Sequence, residues 1–369
     1  MRPYTHALYQ AGRILEALAN SDELYERATA LGERGLAAYA RVFRAGHDIF
    51  NPGGDLDEAW TIGEEAIETF TELGDEAGLA NAKRGLGSLC YVEGRSAEAA
   101  VWFERALVHA NACGDLRTRR QVTESLAQSL AWGPMLVGDA IRRCEELRDA
   151  NRDDRMLEAV ITRCLSALLA MAGRFDEAHE SGRRSSRVLD EAKTASSFGT
   201  RGRLAAQAKE LAGDRAGAER DLEAMWLFFR EALGGAPAGN AMSAAFRLAN
   251  LYCDDGRWDD AEECLAFYRD APDRIVRHTA ADRLAAAARV AAHRGELVEA
   301  VTLGLRAVGI TEPTDQLNTR AGTWLALAEV QRAGGNDAEA DDAVAKALEL
   351  YERKGNVAAA TALRAAAKA

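Results

Sequence analysis

The sequence predicts an all-α protein, a right-handed superhelical solenoid of antiparallel helix pairs. Three observations carry this. Alanine, leucine, glutamate and arginine dominate the 369 residues, and β-branched and aromatic residues are sparse. Proline occurs only six times, so helices can run uninterrupted. A glycine followed five positions later by an alanine recurs at intervals near 40 residues.

The pairs are Gly54/Ala59, Gly94/Ala99, Gly173/Ala178, Gly213/Ala218, Gly256/Ala261, Gly295/Ala300 and Gly335/Ala340. Their glycines stand 39–43 residues apart, with one gap of 79 between Gly94 and Gly173. That gap is two periods. The unit hidden in it is AWGPMLVGDAIRRCEEL (131–147), where Ala140 takes the alanine place and Gly133-Pro134 reshape the turn. Eight units result.

Each unit has the same physical logic. The glycine takes the left-handed conformation that closes a first helix at little cost. Asp, Ser or Asn after it suits the start of a second helix. The alanine sits one turn into that helix and lets the two backbones approach. A second small residue, as at Ala66, Ala106, Ala307 and Ala347, faces the next unit. Residues 1–21 read as an N-terminal capping helix, 22–355 as the repeats and 356–369 as a C-terminal capping helix over the last apolar face. The stretches 192–200, 231–242 and 310–316 read as loops between repeats, not linkers. One continuous domain over 1–369 is expected.

The net charge of −12 argues against nucleic acid as the main partner. No apolar run is long enough for a membrane span, and the N-terminus lacks a secretory signal, so a cytoplasmic setting is expected. Cys90, Cys113, Cys144, Cys164, Cys253 and Cys264 form no CxxC pair and read as thiols buried in helices. His109 and Cys113 share a helix face, but two ligands do not make a metal site. HESGRR (179–184) is no HExxH motif, and GLGSLC (85–90) lies in a helix where Gly87 serves packing. No catalytic residue, metal or cofactor is expected, and no enzyme.

The spacing Gly87, Gly94, Ala99, Phe103, Ala106 within residues 75–113 resembles tetratricopeptide repeats. The usual period there is about 34 residues, so these helices are longer by about a turn. A narrower resemblance rests on AWGPMLVGDAIRRCEEL, LLAMAGRFDEAHE and the closing LYERKGNVAAATALR (350–364). These are similar to the C-terminal repeat region of large actinobacterial regulators, cyclase/ATPase-type or transcriptional activators. That resemblance implies a regulatory setting in which the repeats sense a signal. The chain departs from those regulators in having no GxxxxGK[ST] phosphate loop. A fragment of a longer protein and a stand-alone relative both fit.

In such solenoids the first helices line the concave wall. The position ten residues before each glycine gives Arg44, Arg84, Arg163 and Arg203 in four units, Ser125 in the hidden one, and Phe246, Ala285 and Leu325 in the last three. Guanidinium groups bind carboxylates and phosphates through paired hydrogen bonds, so this stripe points to an acidic partner. Asn81, Tyr91, Trp132 and Gln207 join it at neighbouring inward positions. The alternative is that the arginines pair with glutamates of adjacent helices. The function expected is a non-catalytic scaffold that binds a protein or peptide segment in the groove. The second reading is a small-molecule effector sensor, which demands a closed, aromatic-lined pocket with Trp132, Tyr91 and Phe246 as the residues to watch. Self-association through an end or a convex face is also open.

Overall fold

The computed structural model describes residues 2–51, 54–192, 201–235, 239–269 and 276–367. They form nine helical hairpins and a closing helix. In order these are α1 (Arg2–Gln10) with α2 (Ile14–Ala30), α3 (Arg34–Asp48) with α4 (Leu56–Leu73), and α5 (Glu76–Val92) with α6 (Ser96–Ala112). Then come α7 (Leu116–Trp132) with α8 (Val137–Asp149), and α9 (Arg155–Met171) with α10 (Phe175–Ala192). A π-helical turn (Arg201–Ala205) runs into α11 (Ala206–Leu211), which pairs with α12 (Arg215–Ala232). The last hairpins are α13 (Gly239–Asp254) with α14 (Trp258–Phe267), α15 (Arg277–His293) with α16 (Leu297–Thr311), and α17 (Leu317–Ala333) with α18 (Asp337–Lys354). α19 (Val357–Ala366) closes the array. There is no strand among the described residues.

The repeated alanines sit where close helix contact requires them. Ala99, Ala140, Ala218, Ala261, Ala300 and Ala340 are all fully buried, as are Ala106, Ala307 and Ala347 one or two turns on. Gly87 shows why glycine is needed opposite them: a Cβ there would stand 2.5 Å from the Phe103 ring. The hidden unit is α7–α8, and its turn differs as its sequence implies. Gly133 is extended (φ −73, ψ −174) rather than left-handed.

The N-terminus departs from the expectation of a single capping helix over residues 1–21. The chain turns at Gly12, in the left-handed region at φ +77, and Ser21 lies buried in the middle of α2. The first hairpin is thus a ninth unit. Gly12 and the fully buried Ala17 repeat the glycine–alanine signature 42 residues before Gly54. Of the expected loops, 310–316 is the turn between α16 and α17. Residues 193–200 lie outside the described residues, as do 236–238 within 231–242.

The superhelix is wound tightly enough for distant hairpins to touch. Asp315, before α17, accepts from the backbone N–H groups of Ser96 and Ala97 at 2.7 Å each and donates its own N–H to Gly94 O. These bonds satisfy the free N–H groups at the start of α6. Gln316 Nε2 donates to Ser96 Oγ at 3.1 Å, and Asn356 Nδ2 to Asn318 Oδ1 at 3.1 Å. At the other end, Ile14 shares a core cluster with Met225, Phe229 and Met242. Gly239 N–H donates to Asn51 Oδ1 at 3.2 Å. The first hairpins therefore meet the sixth and seventh, and the concave side becomes a walled space.

Candidate functional site

That space is a cavity of about 530 Å³. Its wall comes from the first helices α1, α3, α5, α7, α13 and α15, with the π turn before α11 and part of α12. The groove is narrowed on one side because α1–α2 pack across to α12.

Of the eight residues named from sequence, the structure brings five together on this wall: Asn81, Arg84, Tyr91, Trp132 and Arg203. Three are elsewhere. Arg44 pairs with Asp22 and Asp48, each at 2.9 Å, away from the cavity. The lining residues Tyr39, Phe43 and Gly46 of α3, and Phe50 just after it, stand 38 residues before Ala77, Asn81, Arg84 and Ser88 of α5, not 40. Two residues amount to about 200° around a helix, so counting back from Gly54 selects the wrong face. α3 ends at Asp48 and α4 starts only at Leu56, a longer connection than inside the other hairpins. Arg163 is buried within α9 and does not line the space, nor does Gln207 of α11. Phe246, named for the sensor reading, is fully buried in the core beneath it.

The two ends of the cavity differ in chemistry. One is aromatic. Trp132 and His278 stack with ring centroids 6.2 Å apart and planes 4° from parallel, and Tyr91 meets His278 edge-on at 5.8 Å. The Arg203 guanidinium lies 5.0 Å from the Trp132 ring centroid, a cation–π contact. It also donates to Ser243 and to the Asp282 carboxylate, which neutralises it. Burial, reinforced by Arg203, holds His278 well below the ordinary histidine range, so it packs as a neutral ring. Burial also pushes the Tyr91 hydroxyl up to about 12.

The other end is cationic. Arg84, Arg117 and His6 line it. Arg117 lies 3.5 Å from Asp115, a long contact. Arg84 has no salt bridge or hydrogen bond to a described residue, and its Nε is buried without an acceptor. Burial lowers its pKa, but an arginine stays charged at neutral pH. Glu124, Tyr39 and Tyr9 contribute the nearest opposing charge and dipoles. His6 sits 3.3 Å from Gln121 Nε2, across from α7. Burial, then Arg117 and Arg84, bring it down to about 4.

His6, Tyr9 and Arg117 were not among the residues read from sequence. The Gly12/Ala17 signature would have placed α1 as a first helix on this wall. Arg117 lies at the first turn of α7, beyond the four positions counted inward. The other concave arginines are consumed by carboxylates: Arg247 by Glu210, and Arg289 by Asp254 and Glu329, both at 2.6 Å. The alternative reading of the stripe thus describes Arg44 and Arg203, but not Arg84. His109 is engaged by Glu76 and Lys83, each at 2.6 Å.

The fold and this concave cavity define a helical-repeat solenoid of the tetratricopeptide type. The chain is similar over 96% of its length, and 97% of the other, to the crystal structure of a Rap protein complexed with competence and sporulation factor, with a TM-score of 0.62 and 12% identity. It is also similar to the Cut9 and Hcn1 hetero-tetramer structure of the APC/C, at a TM-score of 0.52 and 13% identity over 88% of this chain and 65% of that one. No family model matches the sequence, and no curated protein matches it.

Proposed function

We propose that the protein is a non-catalytic regulatory binding module that takes a short segment of a partner into the concave cavity. The observation that carries this is the cavity wall itself. It joins a stacked aromatic end to an arginine, Arg84, whose guanidinium makes no salt bridge with a described residue and whose Nε is buried without an acceptor. An unneutralised half-buried guanidinium is costly unless a ligand completes its hydrogen bonds. The Rap protein that shares this fold is complexed with a factor, which supports a binding role. The resemblance read in residues 131–147 and 350–364 to the repeat region of actinobacterial regulators implies a regulatory setting.

A second reading, a small-molecule effector sensor, is favoured by one feature. The cavity volume of about 530 Å³ lies within the range of pockets that hold single small ligands.

The test is to isolate the tagged protein from cells under native conditions and denature it. Whatever is released is then identified by mass spectrometry. Trp132→Ala and Arg84→Gln variants are carried alongside. A peptide released by the wild type and lost in both variants supports the first reading, and a metabolite supports the second. If the variants carry the same species as the wild type, or the wild type carries none and no added lysate fraction raises its Tm, the cavity is not the binding site.

A further inference from the structure

The cavity has a chemical direction. α5 and α7 are both first helices of their hairpins, so they run the same way along the wall. On α5 the lining residues pass from Arg84 to Tyr91, and on α7 from Arg117 to Trp132. At 1.5 Å per residue those intervals are about 10 Å and about 22 Å. On each helix the cation therefore precedes the aromatic ring, Arg84 from the middle of α5 and Arg117 from the first turn of α7. α1 adds His6 at the cationic end, 3.3 Å from Gln121 of α7. The arginine at the aromatic end, Arg203, is neutralised by Asp282. The direction therefore belongs to Arg84, Arg117 and His6 alone.

On the footing of the binding role proposed above, we infer that the ligand is elongated and amphiphilic, with an anionic head held among Arg84, Arg117 and His6. Its apolar end lies against Trp132 and Tyr91. Such a ligand spans the two ends, and its head adds to the carboxylates of Asp115 and Glu124 that also line the cationic end, of which Asp115 reaches Arg117 only at 3.5 Å. The head is a carboxylate or a phosphate, since both match the donor geometry of guanidinium groups. A cationic head is repelled by both arginines, and a neutral one gains no charge-assisted hydrogen bond from them.

His6 reports on this head. The charged groups facing it are Arg84 from α5, and Arg117 and Asp115 from α7 and its N-terminal cap. Tyr9 faces Arg84 from the same helix as His6, and Glu124 of α7 faces it too. The two arginines and burial keep His6 neutral at pH 7. An anion between them offsets the arginine field and makes the protonated ring cheaper. Binding of the head therefore draws a proton to His6, and affinity for an anion of constant charge rises as the pH falls.

The experiment follows the His6 ring by NMR in the full-length protein, with chloride at matched ionic strength as the control. Sulfate, whose charge is constant, is the probe between pH 4 and 7. The expected result is a rise of the His6 pKa from about 4 to above about 5. Arg84→Gln or Arg117→Gln should weaken sulfate binding at least about tenfold. Arg41→Gln, which breaks an exposed pair with Glu65 on another face, should leave it unchanged. At pH 7, inorganic phosphate and acetate are titrated separately. The anion that moves the His6 signals at lower concentration identifies the head. If none of these anions moves His6, or if both arginine variants bind sulfate like the wild type, the inference is overturned. A neutral ligand released from the wild type and lost in Trp132→Ala would then leave the binding role standing, so the two failures are distinguishable.

Discussion

Lys354 is fully buried, and its ammonium donates to the carbonyl oxygen of Gly133 at 2.6 Å. The same group reaches Met135 O at 2.8 Å and Leu130 O at 3.4 Å. All three carbonyls belong to the end of α7 and the Gly133-Pro134 turn, where the repeat signature is broken. A helix end leaves carbonyls unpaired and carries partial negative charge, and the lysine of the last hairpin supplies both donors and charge. The irregular turn is thus the dock for the C-terminal end of the solenoid.

Lys354 gives the first prediction. Burial brings its pKa down to about 8, against 10.5 for an ordinary lysine. Between those values the unfolded chain binds more protons than the folded one, so this group makes stability rise with pH. Below about pH 8 both states are protonated and its contribution is level. Other buried groups titrate in the same range, so the difference between wild type and Lys354→Met is what isolates it. Urea unfolding at pH 7.5, 9 and 10 should show the wild type gaining stability relative to the variant. At pH 7.5, Lys354→Ala should cost about 2–4 kcal/mol, because it opens a cavity and orphans three carbonyls. A pH-independent difference between wild type and Lys354→Met would refute the titration.

The second prediction concerns a close helix contact within a hairpin. A methyl group at Gly87 would meet the Phe103 ring at 2.5 Å, far inside van der Waals contact. Gly87→Ala gains helix propensity of about 1 kcal/mol but loses more to overpacking. The expected net effect is a destabilisation of about 1–3 kcal/mol. Phe103→Leu alone should also destabilise, by loss of buried area. The double variant should be more stable than the two single costs imply, because the smaller side chain leaves room for the methyl. Additive costs in a double-mutant cycle would show that the helices simply move apart.

The fold was legible because its signal is periodic and physical. Gly87 against Phe103, and the buried Ala99, Ala140 and Ala300, are steric requirements that recur at a fixed spacing. The hidden unit could be found since its period survived even though Gly133 did not keep a left-handed turn. The first unit, Gly12/Ala17, carried the same signature and was passed over for a continuous helix. The site was legible in part. Arg84, Asn81, Tyr91, Trp132 and Arg203 follow from the helical period once the turn glycine fixes the register. Arg44 fails because the α3–α4 connection is longer and turns the count about 200° round the helix. The closure of the superhelix was not legible. Asp315 with Ser96, and Lys354 with Gly133, are single contacts across more than 200 residues, and no local pattern announces them.

The third prediction is about thiols. Five of the six cysteines are buried, and Cys113 alone is part-exposed. Burial pushes Cys90, Cys164 and Cys264 up to about 12, and Cys253 up to about 11. The thiolate is the reactive form, so these groups are inert while the protein is folded. Native protein at pH 8 should show one fast equivalent towards a disulfide reagent, abolished by Cys113→Ser. The remaining five should react only at the rate of unfolding. More than one fast equivalent would mean that the hairpins open locally.

The last prediction separates two arginines that the repeat register made equivalent. Arg44 is half-exposed and paired with Asp22 and Asp48. Exposed pairs of that kind contribute about 0–1 kcal/mol, so Arg44→Ala should barely move the urea midpoint. It should leave capture of the cavity's ligand unchanged, since the residue faces away from it. Arg84 is the reverse case. Its guanidinium lines the cavity and has a buried Nε without an acceptor, so removing it also removes a desolvation cost. Arg84→Ala should therefore leave stability level or slightly raised, while weakening ligand binding by about 10–100-fold, the worth of a charge-assisted hydrogen-bonded pair. Thermal unfolding and a binding isotherm on the same two variants decide it. If Arg84→Ala is strongly destabilised and binds normally, the arginine serves the fold rather than a ligand. If Arg44→Ala loses binding, the concave face includes α3 in the register that the sequence first indicated.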